Sequence, residues 1–147
     1  MNEYNQKALL DIEKYGCHIL HVAAEDEFPP FSYSIGIHLK SKASEVIVVG
    51  LKQELSHFII NEYSRRVILG ERFQTGKPYA GFLEGFEVLL DRVDEKYFDE
   101  YLGWAIWLYE GKTFEVLQMV YPNTDGIFPW DLLADSWFRS RQPILSS

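Results

Sequence analysis

Apolar and polar residues alternate strictly over FSYSIGIHL (31–39). In an extended chain this places Phe31, Tyr33, Ile35 and Ile37 on one side and Ser32, Ser34, Gly36 and His38 on the other. The first set belongs to a core. The second is small and polar, which suits water or a group that approaches the backbone closely. Pro29 and Pro30 fix the entry to this segment, because proline cannot continue a hydrogen-bonded ladder. Lys40 to Glu45 reads as a loop, and VIVVG (46–50) is an unbroken apolar run of the kind buried on both faces of a sheet. Residues 28–51 therefore predict two strands joined by a loop, with Gly50 marking the exit.

The period changes to 3.6 from Lys52 to Leu69. Leu55, Phe58, Ile59, Tyr63 and Val67 form an apolar stripe opposed by Lys52, Glu54, Asn61, Glu62, Arg65 and Arg66, which predicts a helix. A shorter amphipathic helix is expected over 3–14, stopped by Gly16, and CHILHVAAE (17–25) reads as a strand. Gly76, Pro78, Gly81 and Gly85 punctuate the segment after Gly70, which reads as a long loop. FEVLLDRV (86–93) predicts a strand, and 94–111 a second principal helix with Asp94 as its N-cap. TFEVLQMVYP (113–122) is a further strand, Asp125-Gly126 a turn, and 131–138 a short helix. The sum is an α+β fold in one domain spanning 1–147. Its sheet is mainly antiparallel and barrel-like, with five or six strands and two principal helices packed on it.

Composition narrows the function more than the fold. A chain of 147 residues with 47% hydrophobic positions can bury a substantial core. The formal net charge of −8 argues against nucleic acid as a partner, since that binding depends on clustered Lys and Arg. An acidic surface steers toward basic partners. Cys17 is the sole cysteine, so an internal disulfide is excluded. The polar N-terminus does not resemble a signal peptide, and no apolar run approaches the roughly 20 residues that cross a bilayer. The expected location is the cytoplasm, away from membranes.

Candidate chemistry is sparse. His18 and His21 face opposite ways on a strand, and the sequence holds no HExxH-type pattern, so no metal site is expected. Cys17 and His18 likewise point apart, and a lone cysteine reads better as a small buried hydrophobe than as a nucleophile. GERFQTGK (70–77) fails as a phosphate-binding loop: five residues separate the glycines and Pro78 stands where Ser or Thr is needed. Arg72, Thr75 and Lys77 remain suited to holding an anion, opposite Ser32, Ser34 and His38 as the other wall of a ligand site. The last third is rich in aromatics. Core packing accounts for some of them. Trp107, Tyr121, Phe128, Trp130 and Trp137 are the candidates for anchoring a protein partner.

GCHILHV, PPFSYSIGI, EVIVVGL before a helix, Gly70-x-x-Phe73-x-x-Gly76, LQMVYPN-x-DGIFPW and the closing QPIL occur in this order from Gly16 to Leu145. In that set the chain resembles the bacterial domain of unknown function 4262 family. Relative to that pattern, Asn123 stands where an acidic residue is common and Tyr121 where a tryptophan is common. The resemblance implies a compact bacterial α+β domain and brings no catalytic residues.

No residue is expected to be catalytic. The favoured expectation is a non-enzymatic binding protein for a macromolecular partner, of the toxin-neutralising or immunity type, with no cofactor. The alternative is a domain that binds flavin or a nucleotide on a split-barrel-like sheet. A hydrolase built on His38 or His21 has no supporting motif. An exposed aromatic patch also permits a homodimer.

Overall fold

The structure, a computed structural model, describes residues 2–147. Asn2 opens helix α1 (Glu3–Tyr15): its side-chain oxygen accepts from the Asn5 N–H at 2.9 Å. Gly16 closes it with φ +91° and returns its N–H to Ile12. Ala8 and Ile12 are the buried stripe of this helix.

The chain then builds β1 (His18–Val22), β2 (Phe31–Ile35) and β3 (Glu45–Val49), with a short helix α2 (Ile37–Ser41) between β2 and β3. Helix α3 (Gln53–Ile68) leads to the β4 (Tyr79–Leu83) and β5 (Phe86–Arg92) hairpin. A 3-10 turn (Glu95–Tyr97), α4 (Phe98–Tyr101) and α5 (Gly103–Tyr109) follow, then β6 (Val116–Val120) and α6 (Ser136–Arg141). Among the described residues no helix is long and apolar enough to cross a membrane.

The six strands form one sheet in the order β1-β2-β3-β6-β5-β4. All neighbours are antiparallel except β3 and β6, which run parallel in the centre. That explains why VIVVG is apolar at every position: a central strand with helices on both sides has no wet face, and β3 is buried throughout. One face packs on α3, through Val46, Val48, Ile59, Ile60, Tyr63 and Met119. The other packs on α1, α4 and α5, through Ile12, Tyr33, Ile47, Leu102 and Ala105. The α+β class and the antiparallel bias hold. The barrel does not, because β6 enters between β3 and β5 and drives the β4–β5 hairpin outward, leaving β1 and β4 as two separate edges.

Three other expectations need correction. The 94–111 segment is not one helix: Leu102, at φ −120° and ψ 36°, interrupts it. The Trp104 N–H that begins the next helix donates to the Tyr33 hydroxyl at 3.0 Å, so the break is held by the sheet. The two longest helices are therefore α3 and α1. The 70–85 segment is not all loop, because Tyr79–Leu83 is an edge strand whose register shifts across Gly81. The alternation through 31–39 also stops early: the strand ends at Ile35 and His38 lies in α2.

Gly36 makes that change of direction. Its φ is +102°, and an added Cβ would meet Ile12 Cγ1 at 2.6 Å and Cγ2 at 2.9 Å. Gly36→Ala is expected to lower unfolding free energy by about 2–4 kcal/mol, from left-handed strain plus overpacking. Urea denaturation in an Ile12→Ala background checks the cause. The glycine substitution should cost less there, whereas equal costs in both backgrounds would remove Ile12 from the explanation.

Candidate functional site

The stretch after Ile35 turns helical because a carboxylate from another strand awaits it. Glu45, fully buried at the start of β3, accepts from the N–H groups of Gly36 at 3.1 Å, Ile37 at 3.3 Å and His38 at 3.1 Å. Ser34 Oγ donates to it at 2.8 Å and accepts from the Val46 N–H at 3.0 Å, and the Tyr109 hydroxyl completes the set from α5. Burial raises the Glu45 carboxyl above its ordinary range against the lowering pull of these donors. The cluster caps α2 and ties two layers together, and every polar atom in it is engaged internally.

This accounts for much of the expected ligand face. Ser34 is buried beneath α3 and held by Glu45. Ser32 is also buried, its hydroxyl 2.7 Å from His21 Nδ1 across the β1–β2 ladder. His38 sits apart on α2, edge-on to the Tyr109 ring at 5.2 Å. On the opposite wall, the Arg72 guanidinium donates to the carbonyls of Val67, Glu71 and Ser41. Lys77 lies over the Tyr79 ring at 5.9 Å, and Thr75 is exposed in the turn beside Gly76. These six side chains therefore do not converge on one cavity. The helix over one face and the carbonyls around Arg72 occupy the groups that sequence alternation left open.

Histidine and cysteine chemistry is settled by long-range partners. His18 Nδ1 lies 2.8 Å from Asp11 on α1, joining helix to sheet. His21 Nε2 meets His57 Nδ1 at 3.1 Å, a pairing between β1 and α3 that local spacing does not reveal. Burial, followed by the charge of His57, lowers the His21 pKa below the usual imidazole range. Burial pushes the Cys17 thiol up to about 11 although a Ser64 hydrogen bond opposes it, so at neutral pH it is a protonated core residue.

The aromatic candidates fare differently. Parallel β3 and β6 end side by side, and beyond their carboxyl ends the chain opens into an apolar groove. One lobe, of about 650 Å³, is lined by Gly50–Lys52, Tyr121–Thr124, Trp137, Phe138 and the hairpin tip at Leu83 and Phe86. A second lobe of about 830 Å³ shares Leu55, Leu83, Glu84, Phe86 and Pro122 and extends to Phe58 and Phe128. Open α/β sheets place ligands at this position, outside the carboxyl ends of parallel strands.

Each wall has a local cause. Asn123 Oδ1 accepts from the N–H groups of Asp125 and Ile127, closing the 123–127 loop with Gly126 at φ +81°. Gln142 acts as a substitute strand, its amide pairing with both the N–H and the C=O of Tyr121 at 3.0 and 2.8 Å. Arg141 Nε donates to the Gly50 carbonyl at 2.8 Å, and the Tyr121 hydroxyl donates to Val49 at 2.7 Å. The tail and α6 are thus fastened to the strand ends.

Four of the five aromatic candidates meet here. Trp130 is half exposed and stacks on Phe128 at 5.1 Å with planes 6° apart. Trp137 is 67% exposed on the lip, while Tyr121 is buried in the wall. Trp107 is elsewhere, on α5, edge-on to Trp104 at 5.6 Å. Leu55 and Phe58 on α3 are exposed in the groove wall, and Leu132 and Leu133, just after Trp130 in the chain, are exposed as well. Sequence reading passed over Leu132 and Leu133. Their signal was an apolar pair inside a turn-rich segment, where nothing nearby in the chain could cover them.

A search of curated proteins and a search of solved structures each find no match. The family model described as "Domain of unknown function (DUF4262)" matches residues 11–135, so the closing QPIL lies beyond the matched part. That match takes in the capped turn after β2, the histidine pair and most of the groove, and by it the chain belongs to the DUF4262 family.

Proposed function

We propose that this protein is a non-enzymatic binding protein whose groove receives an apolar segment of a protein partner flanked by Lys or Arg. The observation that carries this reading is the convergence of exposed Leu55, Phe58 and Trp137 with Phe128 on the walls of one groove, with exposed Trp130 stacked on Phe128. Contiguous apolar surface of this kind is costly to leave in water, and Trp at the lip of a groove is a frequent binding anchor. Charge supports the choice of flanks. The net charge is −8, Glu84 and Glu87 line the groove, and Asp131 begins the leucine loop. Two of the nearby cations are engaged, Arg141 with Gly50 and Arg139 with the Asp131 carbonyl, while Lys52 lines the groove on the side away from Glu87. Enclosure of Cys17 and Ser32 also favours binding over nucleophilic chemistry.

A displayed library of random 12-residue peptides tests the reading. Native protein should enrich sequences combining Leu, Ile or Phe with Lys or Arg. Their affinity should fall at least about tenfold in Trp137→Ser and hold in Trp107→Ser, and it should weaken with salt. No enrichment, or peptides that bind the two variants equally, would overturn it.

A further inference from the structure

His21 and His57 lie outside the groove's lining and are not used by the reading above. Their facing nitrogens, Nε2 of His21 and Nδ1 of His57, are 3.1 Å apart, with ring centroids at 5.3 Å. Two imidazoles on one tetrahedral ion, each at about 2.0–2.1 Å, require nitrogens about 3.3 Å apart and centroids about 5.2 Å apart. To admit an ion the nitrogens part slightly and the two rings, now nearly head-on, tilt so that both lone pairs point at one site.

The surroundings are those of a ligand pair. His21 is half-buried on β1, and its other nitrogen is held by Ser32 Oγ at 2.7 Å across the ladder. A metal-bound histidine needs that kind of outer contact: with the Nδ1 hydrogen directed at Ser32, the Nε2 lone pair faces His57. His57 is exposed on α3, so its hydrogen can move from Nδ1 to solvent-facing Nε2 and free the inner lone pair without net proton release. Glu54, one turn earlier on the same helix, adds negative charge near His21. Among the described residues no set of three His, Cys, Asp or Glu gathers in metal-holding geometry. The remaining coordination positions would therefore face solvent.

We propose that His21 and His57 form a two-histidine site for a divalent transition ion, Zn2+ or Cu2+, with Ser32 orienting His21 and the outer positions open to water or an exogenous ligand. Imidazole suits both ions, and Cu2+ binds the tighter of the two. Such a site clips β1 to α3 and is exchangeable.

Untagged protein titrated calorimetrically with ZnCl2 and, separately, CuCl2 provides the test. One saturable equivalent of each ion is expected, with a rise in Tm. His57→Ala, on an exposed helix position, should abolish the binding while its circular dichroism stays native. Ser32→Ala should keep the stoichiometry and lose about tenfold or more in affinity. Long-range nitrogen–proton NMR should show the His57 ring hydrogen move to Nε2 when Zn2+ is added. Absence of saturable binding, equal binding by His57→Ala, or a ring tautomer that does not change would each overturn the assignment.

Discussion

Gly50→Ala is expected to lower the unfolding free energy by about 3–5 kcal/mol, combining left-handed strain with overpacking against main chain. Gly50 has φ +93°, and an added Cβ would lie 2.3 Å from the Arg141 carbonyl oxygen and 2.7 Å from the Tyr121 hydroxyl. A flexible side-chain end can retreat; a carbonyl already placed by α6 cannot do so cheaply. Gly50 also donates its N–H to Pro30 at 2.7 Å and accepts from Arg141 at 2.8 Å, so moving it disturbs both sides of the β3 exit. The substitution should therefore loosen α6 and the Trp137 lip before it melts the sheet. Guanidinium denaturation gives the energy, and amide exchange at residues 136–142 gives the location. A loss under about 1 kcal/mol, with unchanged exchange at α6, would show that the close approach at Gly50 is not what holds the groove.

Glu45→Ala is expected to cost about 4 kcal/mol. It strands the three N–H groups of Gly36, Ile37 and His38 together with the hydroxyls of Ser34 and Tyr109, and it opens a cavity in the layer between β3 and α5. Glu45→Gln keeps the volume but turns an amide NH2 toward groups that are all donors, for a loss of about 2 kcal/mol. The two variants separate by pH. Burial, the largest influence, raises the folded Glu45 pKa above the ordinary 4.5 even though Tyr109, His38, Ser34 and Ile37 pull it down. Over that interval the folded chain keeps a proton that the unfolded chain has released. Stability from this group is thus fully present below 4.5 and falls as pH rises through the folded value. Asp11, which shifts the opposite way through its His18 and Lys7 bonds despite burial, titrates alike in both proteins and cancels in the difference. The wild-type curve should fall relative to Glu45→Gln on raising the pH from 4.5. Parallel curves would show that Glu45 is ionised in the fold.

The antiparallel bias of the sheet was legible because the strands read from the sequence outnumber the helices without repeated βαβ spacing. The helix at Gln53–Ile68 and the doubly buried strand at Glu45–Val49 were legible because each follows from periodicity within one segment. Asp94 was legible as a cap for the same reason: its side chain accepts from Lys96 two residues on. The aromatic candidates were read by residue type, and four of the five converge on one end of the molecule because the parallel β3–β6 pair brings Gly50 and Tyr121 together. What covers the Ser32 and Ser34 face was not legible, for a physical reason. Alternation states that Ser32 and Ser34 share a side, yet it cannot state whether water or α3 lies over that side.

The amino-acid sequence by itself determined which segments extend, which coil and where glycine must turn the chain, since local sterics and the spacing of apolar side chains act over a few residues. It also determined the acidic surface and the family pattern. Only the tertiary structure decided that Glu45 caps a helix 8 residues before it in the chain, that His21 meets His57, and that the sheet stays open with a groove at its parallel centre. Those outcomes depend on strand order. A polar side chain's role is set by the partner that folding delivers to it, and that partner lies beyond the reach of any periodicity.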